Sequence, residues 1–81
     1  MRYLSRNLRS LREYFRFSQR DIAEAADVKQ PLIVMFERGE KTPGLKTIMG
    51  IADLFGVTID EMINTPPDEL RAAVDKRERK T

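Results

Sequence analysis

The chain has 81 residues, of which 41% are apolar and 35% charged, and its net charge is +2. This length fits one small domain, and a compact helical bundle is the economical way for so short a chain to bury a core. The sequence contains no cysteine and no histidine, which removes disulfides, thiolate metal sites, cysteine nucleophiles and the commonest general base. We therefore expect no metal, no cofactor and no enzymatic activity.

The charge is unevenly distributed along the chain. Residues 1–20 carry six arginines and one acid, a net charge of +5, whereas residues 21–81 carry nine basic and twelve acidic residues, a net charge of −3. This asymmetry favours one surface that meets a polyanion. No apolar run approaches the roughly 20 residues that span a bilayer, and no signal-peptide pattern opens the chain. We expect a cytoplasmic protein without membrane contact.

Two helices are predicted in the arginine-rich part and just after it. An apolar stripe at spacings of four, three and four predicts a helix from about Ser5, as its N-cap, to Phe15. Ser18 and Asp21 have the spacing of a capping box, which starts a second helix. Asp27 then falls in a turn. The stripe of the first helix is Leu4, Leu8, Leu11 and Phe15, and the core side of the second is Ile22, Ala23 and Ala26.

A third short helix follows the turn at once. Pro31 suits its first position, which places the cap near Gln30, and Gly39 suits its end. This helix is apolar nearly all round, and an apolar flank outside the core is typical of a contact surface. Its core positions are Val28, Ile33 and Phe36, and its other apolar residues are Leu32, Val34 and Met35. Two helices of this length and connection predict a helix-turn-helix.

The rest of the chain predicts two further helices and a tail. Thr42 as cap and Pro43 at the first position open the fourth helix, which Gly56 closes; Thr58 and Glu61 form a second capping box, which opens the fifth. We place the domain at residues 1–64 and a short helix or loose charged tail at residues 65–81. Such a tail helix docks on the bundle, pairs with a second copy or frays. The expected core stripe of the fourth helix is Leu45, Ile48, Met49, Ala52 and Phe55.

Residues from about Asn7 to Ile63 resemble the Cro and phage-repressor type of helix-turn-helix domain, often called Xre-like. The resemblance rests on the order and spacing of L-R-x-L-R, S-Q-R-D-I-A, E-R-G and L-F-G-V-T-I-D-E-M, which begin at Leu8, Ser18, Glu37 and Leu54. It implies an all-α, compact five-helix lambda-repressor-like domain with a short C-terminal helical tail. It further implies a domain that binds double-stranded operator DNA, usually as a homodimer.

The same resemblance implies roles for individual residues. Gln19 would contact a phosphate at the start of the second helix, and Gln30 could hydrogen-bond an adenine edge. A buried ion pair between Arg12 and Glu37 would tie the first helix to the end of the third. The remaining expected DNA contacts lie along the third helix and the loop after it, at Lys29, Pro31, Leu32, Met35, Arg38, Lys41 and Thr42.

The chain departs from the family pattern at the turns and at the groove-facing positions. Arg16 and Asp27 stand where glycines are usual, and Asp tolerates the left-handed conformation better than most residues. The groove-facing positions are apolar where the family usually has polar side chains. They could pack on thymine methyl groups or bind a protein. For Arg2, Arg6 and Arg9, a solvated helix face is the favoured interpretation over direct DNA contact.

Two functions therefore stay open. The leading hypothesis is a sequence-specific DNA-binding transcriptional regulator, a small repressor that binds a palindromic operator. The alternative is a protein-interaction module, of the anti-repressor or antitoxin kind, whose apolar third helix grips a partner. We expect a homodimer, because one such domain covers only a half-site. The candidate contact is the segment from Leu70 to Val74 together with the apolar face of the fifth helix.

Overall fold

The computed structural model describes residues 2–80, whose regular structure consists of α helices without strands. The predicted all-α class is confirmed. In chain order the helices are α1 (Leu4–Phe15), α2 (Gln19–Ala26), α3 (Gln30–Glu37), α4 (Leu45–Phe55), α5 (Ile59–Asn64) and α6 (Pro67–Glu78). None of them is long and apolar enough to cross a membrane.

The core forms around α1, which packs against α3, α5 and α6, while α2 packs against α3 and α4. Leu8 and Leu11 lie on the buried side of α1 and are wholly inaccessible to solvent. One apolar side chain from each of several other helices meets them. The side chains with at most 2% of their surface exposed include Ile22, Ile33, Ile51, Met62 and Leu70.

The helix caps and the turn that are predicted from neighbouring residues are present in the structure. The Ser18 hydroxyl accepts from the Asp21 backbone N–H at 3.0 Å, and the Asp21 carboxylate accepts from the Ser18 N–H at 2.8 Å. Thr58 and Glu61 repeat this capping box at 3.0 Å for both bonds. Asp27 ends α2 in the left-handed conformation, with φ at 56°. The prediction that the turn tolerates Asp27 without a glycine is therefore confirmed.

Two predicted helix caps are each wrong by two residues. α1 begins at Leu4 with Tyr3 as its cap, not with Ser5, and the Tyr3 N–H donates to the Ile63 carbonyl at 3.0 Å, which anchors this earlier start to α5. α4 begins at Leu45 with Gly44 as its cap, not with Thr42 and Pro43. A smaller shift moves the cap of α3 from Gln30 to Lys29.

The predicted core stripe of α4 is partly wrong. Leu45 is 69% exposed and Met49 is 48% exposed, whereas Ile51, which the stripe omits, is buried. The buried face of α4 is centred on residues 48, 51, 52 and 55. At 100° per residue, positions 45 and 49 lie at the edge of that face, so their side chains point past the neighbouring helices into solvent.

The tail helix docks on its own bundle. Leu70 and Val74 are 0% and 2% exposed, and α6 lies against α1. The Tyr14 hydroxyl donates to Asp75 at 2.9 Å, and the Arg77 guanidinium pairs with Glu61 at 2.5 Å. Of the two states predicted for residues 65–81, the short helix is the one that the structure shows over Pro67–Glu78. Thr81 lies outside the described residues. The domain division at residue 64 stays a prediction.

Asn7 is a core residue that the sequence analysis did not single out. Its side chain is fully buried, and its Nδ2 donates to the backbone carbonyls of Met62 at 2.9 Å and Thr65 at 2.8 Å. These carbonyls lie at the end of α5, where the helix itself offers no donor. Asn7 thus joins the first helix of the domain to the last turn of the fifth.

Candidate nucleic-acid interface

The connection between α2 and α3 fixes the mutual orientation of these two helices. Val28 donates its N–H to the Ala23 carbonyl at 3.0 Å, which closes the end of α2. Lys29 is extended, with φ at −78° and ψ at 145°, and caps α3. Ile22 and Ala23 on α2, and Ile33 and Phe36 on α3, are buried in the shared core. The opposite side of α3 is consequently left facing solvent.

A hydrogen-bond network holds the start of α2 against the end of α3. Glu37 accepts from Arg12 Nε at 2.6 Å, from Arg12 Nη2 at 3.2 Å and from Gln19 Nε2 at 3.3 Å. The side chains of Arg12 and Glu37 are only 17% and 7% exposed. The hydrogen bond to Glu37, more than any other influence, holds the pKa of Arg12 above its ordinary value. The network fixes where the first residue of α2 stands.

The solvent-facing side of α3 forms an open groove with an apolar floor. Gln30 and Pro31 lie at its start and are exposed, and Val34 and Met35 follow along it. Arg38 and Glu40 line its far end. Of the apolar residues expected to face a DNA groove, the structure places Pro31, Val34 and Met35 on the open side. Leu32 is instead partly buried against the core.

The loop between α3 and α4 carries the other expected backbone contacts. Gly39 takes φ of 73°, which reverses the chain at the end of α3. Lys41 and Thr42 are exposed and line a small polar hollow beside Ser5 of α1. Because α4 begins at Leu45, the N–H groups that its helix leaves free are those of its own first turn, not those directly after Thr42.

A second groove, lined mainly by polar side chains, runs between α1, α2 and α3. Its lining includes Arg9 of α1, Gln19 of α2 and Arg38 directly after α3, together with Arg12, Val34 and Glu37. Three arginines face one glutamate here, so the lining carries a net positive charge. Val34 and Arg38 also line the apolar groove, so the two grooves adjoin. Arg9 is part of this groove although no sequence motif distinguishes it from the other arginines of α1.

This arrangement of α2, turn and α3 agrees with a family comparison. A model of the helix-turn-helix family matches residues 8–62, which is more than half of the chain. The chain belongs to the Cro/C1-type helix-turn-helix family. The resemblance that the sequence motifs predict is thereby confirmed.

Curated relatives of this helix-turn-helix protein come from distant organisms. It is 33% identical to the HTH-type transcriptional regulator DdrOP3 of Deinococcus deserti, over 74% of this chain and 46% of the relative. It is 25% identical to the regulator YqaE of Bacillus subtilis, over 80% of this chain and 56% of the relative. It is also 30% identical to an uncharacterised HTH-type transcriptional regulator of Methanocaldococcus jannaschii, over 82% of this chain and 100% of the relative. The chain spans about half the length of the first two.

Proposed function

We propose that this protein is a sequence-specific DNA-binding transcriptional regulator, a small repressor that binds a palindromic operator as a homodimer. The observation that carries the proposal is the open side of α3, which the packing of α2 and α3 leaves uncovered beside exposed basic side chains. Family membership and relatives named as transcriptional regulators support it. Such a protein acts on DNA in the cytoplasm.

Affinity would come mainly from phosphates. Lys29, Arg38 and Lys41 are exposed and stand at the start and the end of α3 and in the loop after it. Gln19 opens α2, where free backbone N–H groups favour an anion. Contacts of this kind position a protein on the duplex without reading its sequence. We expect substitution of any of these basic residues to weaken specific and nonspecific binding alike.

Specificity would come from Gln30 and from the apolar floor of the groove. Gln30 is exposed at the first turn of α3 and can pair with an adenine edge through two hydrogen bonds. Pro31, Val34 and Met35 offer no donors, but they can pack on thymine methyl groups. Replacing a contacted thymine by uracil removes only the methyl, so each such change should weaken binding about fourfold, the equivalent of ~0.8 kcal/mol.

A homodimer is proposed because two half-sites require two copies of α3 in successive turns of the major groove. Leu70 and Val74 of the predicted contact segment are buried within their own bundle, so these two side chains are not available to a second copy. In the described part of the chain, Leu45 and Met49 are the large apolar side chains that remain exposed. Sedimentation of the protein and of its Leu45→Gln/Met49→Gln variant tests both the dimer and this contact.

The protein-interaction alternative keeps one observation in its favour, which is the same apolar groove on α3. A titration with random-sequence duplex DNA at several salt concentrations separates the two functions. A DNA-binding regulator should lose affinity with a slope of log affinity against log salt near −0.9 for each phosphate contacted. Weak binding with a flat slope would instead support a protein partner.

Selection of bound sequences from random duplex DNA completes the test of the regulator. We expect an inverted repeat whose half-sites contain adenine and thymine at the positions that Gln30 and the apolar floor meet. Gln30→Ala should then weaken binding to the selected operator far more than binding to random DNA. Equal losses on both would exclude Gln30 as a sequence reader, and failure to enrich any sequence would exclude the regulator.

A further inference from the structure

We propose that Arg9 of α1 binds a DNA phosphate, so that the protein contacts the duplex with its first helix as well as with α2 and α3. This inference rests on the proposed DNA-binding function and extends the contact surface beyond the helix-turn-helix. The favoured interpretation from sequence, a solvated arginine on a helix face, gives no reason to distinguish Arg9 from Arg2 or Arg6. The packing of α1 against α3 does.

Arg9 lies beside side chains that are proposed to bind phosphates. Arg9 lines the polar groove with Gln19 and Arg38, which are proposed phosphate contacts from two other helices. That groove shares Val34 and Arg38 with the apolar groove of α3. A phosphate backbone borders each side of the DNA major groove, which is about 12 Å wide. A side chain next to the flank of α3 is therefore placed to meet one of those backbones.

Arg9 is also available to bind a phosphate. Its Nε lies 3.7 Å from a carboxylate oxygen of Glu13, and the two side chains are 66% and 52% exposed. An ion pair this long and exposed is weak, so a phosphate can displace Glu13. Arg12 lines the same groove, but both its Nε and its Nη2 are committed to Glu37. Of the two α1 arginines in the groove, Arg9 is the one free to bind a ligand.

The charge of the groove also suits a phosphate. Arg9, Arg12 and Arg38 face a single carboxylate, Glu37. Arg12 neutralises that carboxylate at 2.6 Å, which leaves Arg38 and Arg9, whose own pair with Glu13 is long and exposed, as the positive groups available around the groove. A phosphodiester carries one negative charge and acceptor oxygens, and arginine donates to it in a planar fork. The groove thus matches a phosphate in charge and in hydrogen-bond type.

Salt dependence of DNA affinity tests the assignment. We would measure binding of a random-sequence duplex by fluorescence anisotropy between 50 and 200 mM KCl, conditions over which phosphate contacts dominate the response. Arg9→Gln should make the slope of log affinity against log salt less negative by about 0.9 and should weaken binding about eightfold at ~0.1 M salt. Arg9→Lys keeps the charge and should keep most of the slope.

A matched control separates a local contact from a general loss of charge. Arg79 is 79% exposed and, like Arg9, pairs with a carboxylate four residues away, Asp75, but it follows α6 and does not line the polar groove. Arg79→Gln should leave the slope unchanged. If Arg9→Gln and Arg79→Gln have equal effects, Arg9 does not bind a phosphate.

Substitution of Glu13 provides a second test. It changes DNA affinity through Arg9 only if Arg9 binds DNA, and not if the role of Arg9 is purely structural. Glu13→Gln removes the competing carboxylate, so it should raise DNA affinity in the wild-type background and raise it less when combined with Arg9→Gln. Equal gains in both backgrounds would overturn the inference. A reduced slope for Arg38→Gln with no change for Arg9→Gln would refute the Arg9 contact alone. A flat slope for the wild-type protein would refute the DNA-binding function and this inference with it.

Discussion

Removal of Arg12 from its pair with Glu37 is the sharpest test of how the fold holds the site. Glu37 is 7% exposed and, within residues 2–80, accepts side-chain hydrogen bonds only from Arg12, which makes two, and from Gln19 at 3.3 Å. Arg12→Met leaves a nearly buried carboxylate without its counter-charge. Loss of one partner of such a pair costs about 3–5 kcal/mol.

That cost is large compared with the whole stability of so small a domain. At roughly 0.05–0.15 kcal/mol per residue, a chain of 81 residues is stable by about 4–12 kcal/mol. We therefore expect the Arg12→Met variant to keep only a small free energy of unfolding. The double variant Arg12→Met/Glu37→Leu removes both charges and replaces them with apolar groups of similar size. It should recover most of the loss, because neither charge is left buried alone.

Urea unfolding followed by far-ultraviolet circular dichroism gives the free energy of unfolding of the wild type, the two single variants and the double variant. Glu37→Leu alone leaves the Arg12 guanidinium with the Phe17 carbonyl, to which Nη1 donates at 3.2 Å, so its loss should be smaller than that of Arg12→Met. A loss below 1 kcal/mol for Arg12→Met, or a double variant as unstable as the sum of the single ones, would refute the argument. The pair would then be an ordinary surface contact.

Three further predictions concern other parts of the bundle. Arg16→Gly should raise the melting temperature, because Arg16 holds φ at 61° and a left-handed residue with a side chain costs roughly 1–2 kcal/mol; an unchanged or lower value would contradict this. Leu70→Ala should cost about 2–5 kcal/mol in urea unfolding if α6 is integral to the core, and a loss under 1 kcal/mol would mean that α6 detaches. The hydrogen bond from Arg77 is the largest of the influences that lower the pKa of Glu61. The ionised Glu61 therefore stabilises the fold fully above the ordinary glutamate pKa of about 4.3, and this stabilisation is lost as the pH falls through the lowered pKa. Urea midpoints should therefore drop less on acidification in Glu61→Gln than in the wild type, and parallel curves would refute the assignment.

The elements that could be predicted from sequence are those whose causes lie within one or two helical turns. The capping boxes at Ser18 and Thr58 join residues three apart, so they form wherever that segment is helical. Asp27 ends α2 through bonds to its own last turn. The family motifs are likewise short and ordered, and the match over residues 8–62 follows them.

The candidate site could be predicted only in outline. The sequence indicates α3 as an apolar contact helix, but the side on which each apolar residue lies depends on what packs against it. Leu32 turns toward the core, whereas Val34 and Met35 line the open groove. In the sequence, Arg9 cannot be distinguished from the other arginines of α1. Only the packing of α1 beside α3 brings it next to Gln19 and Arg38.

The amino-acid sequence alone determines most of the helices and turns of this chain, because caps, apolar stripes and left-handed residues act through neighbours in the chain; the starts of α1 and α4 are exceptions. The tertiary structure alone decides which helix faces are covered. Asn7 is buried and donates to the carbonyls of Met62 and Thr65, which are 55 and 58 residues away in the chain. Leu70 is buried between α6 and α1, whereas Leu45 remains exposed to solvent. Burial depends on contacts between distant segments, and the periodicity of a single helix carries no information about which other helix will cover it.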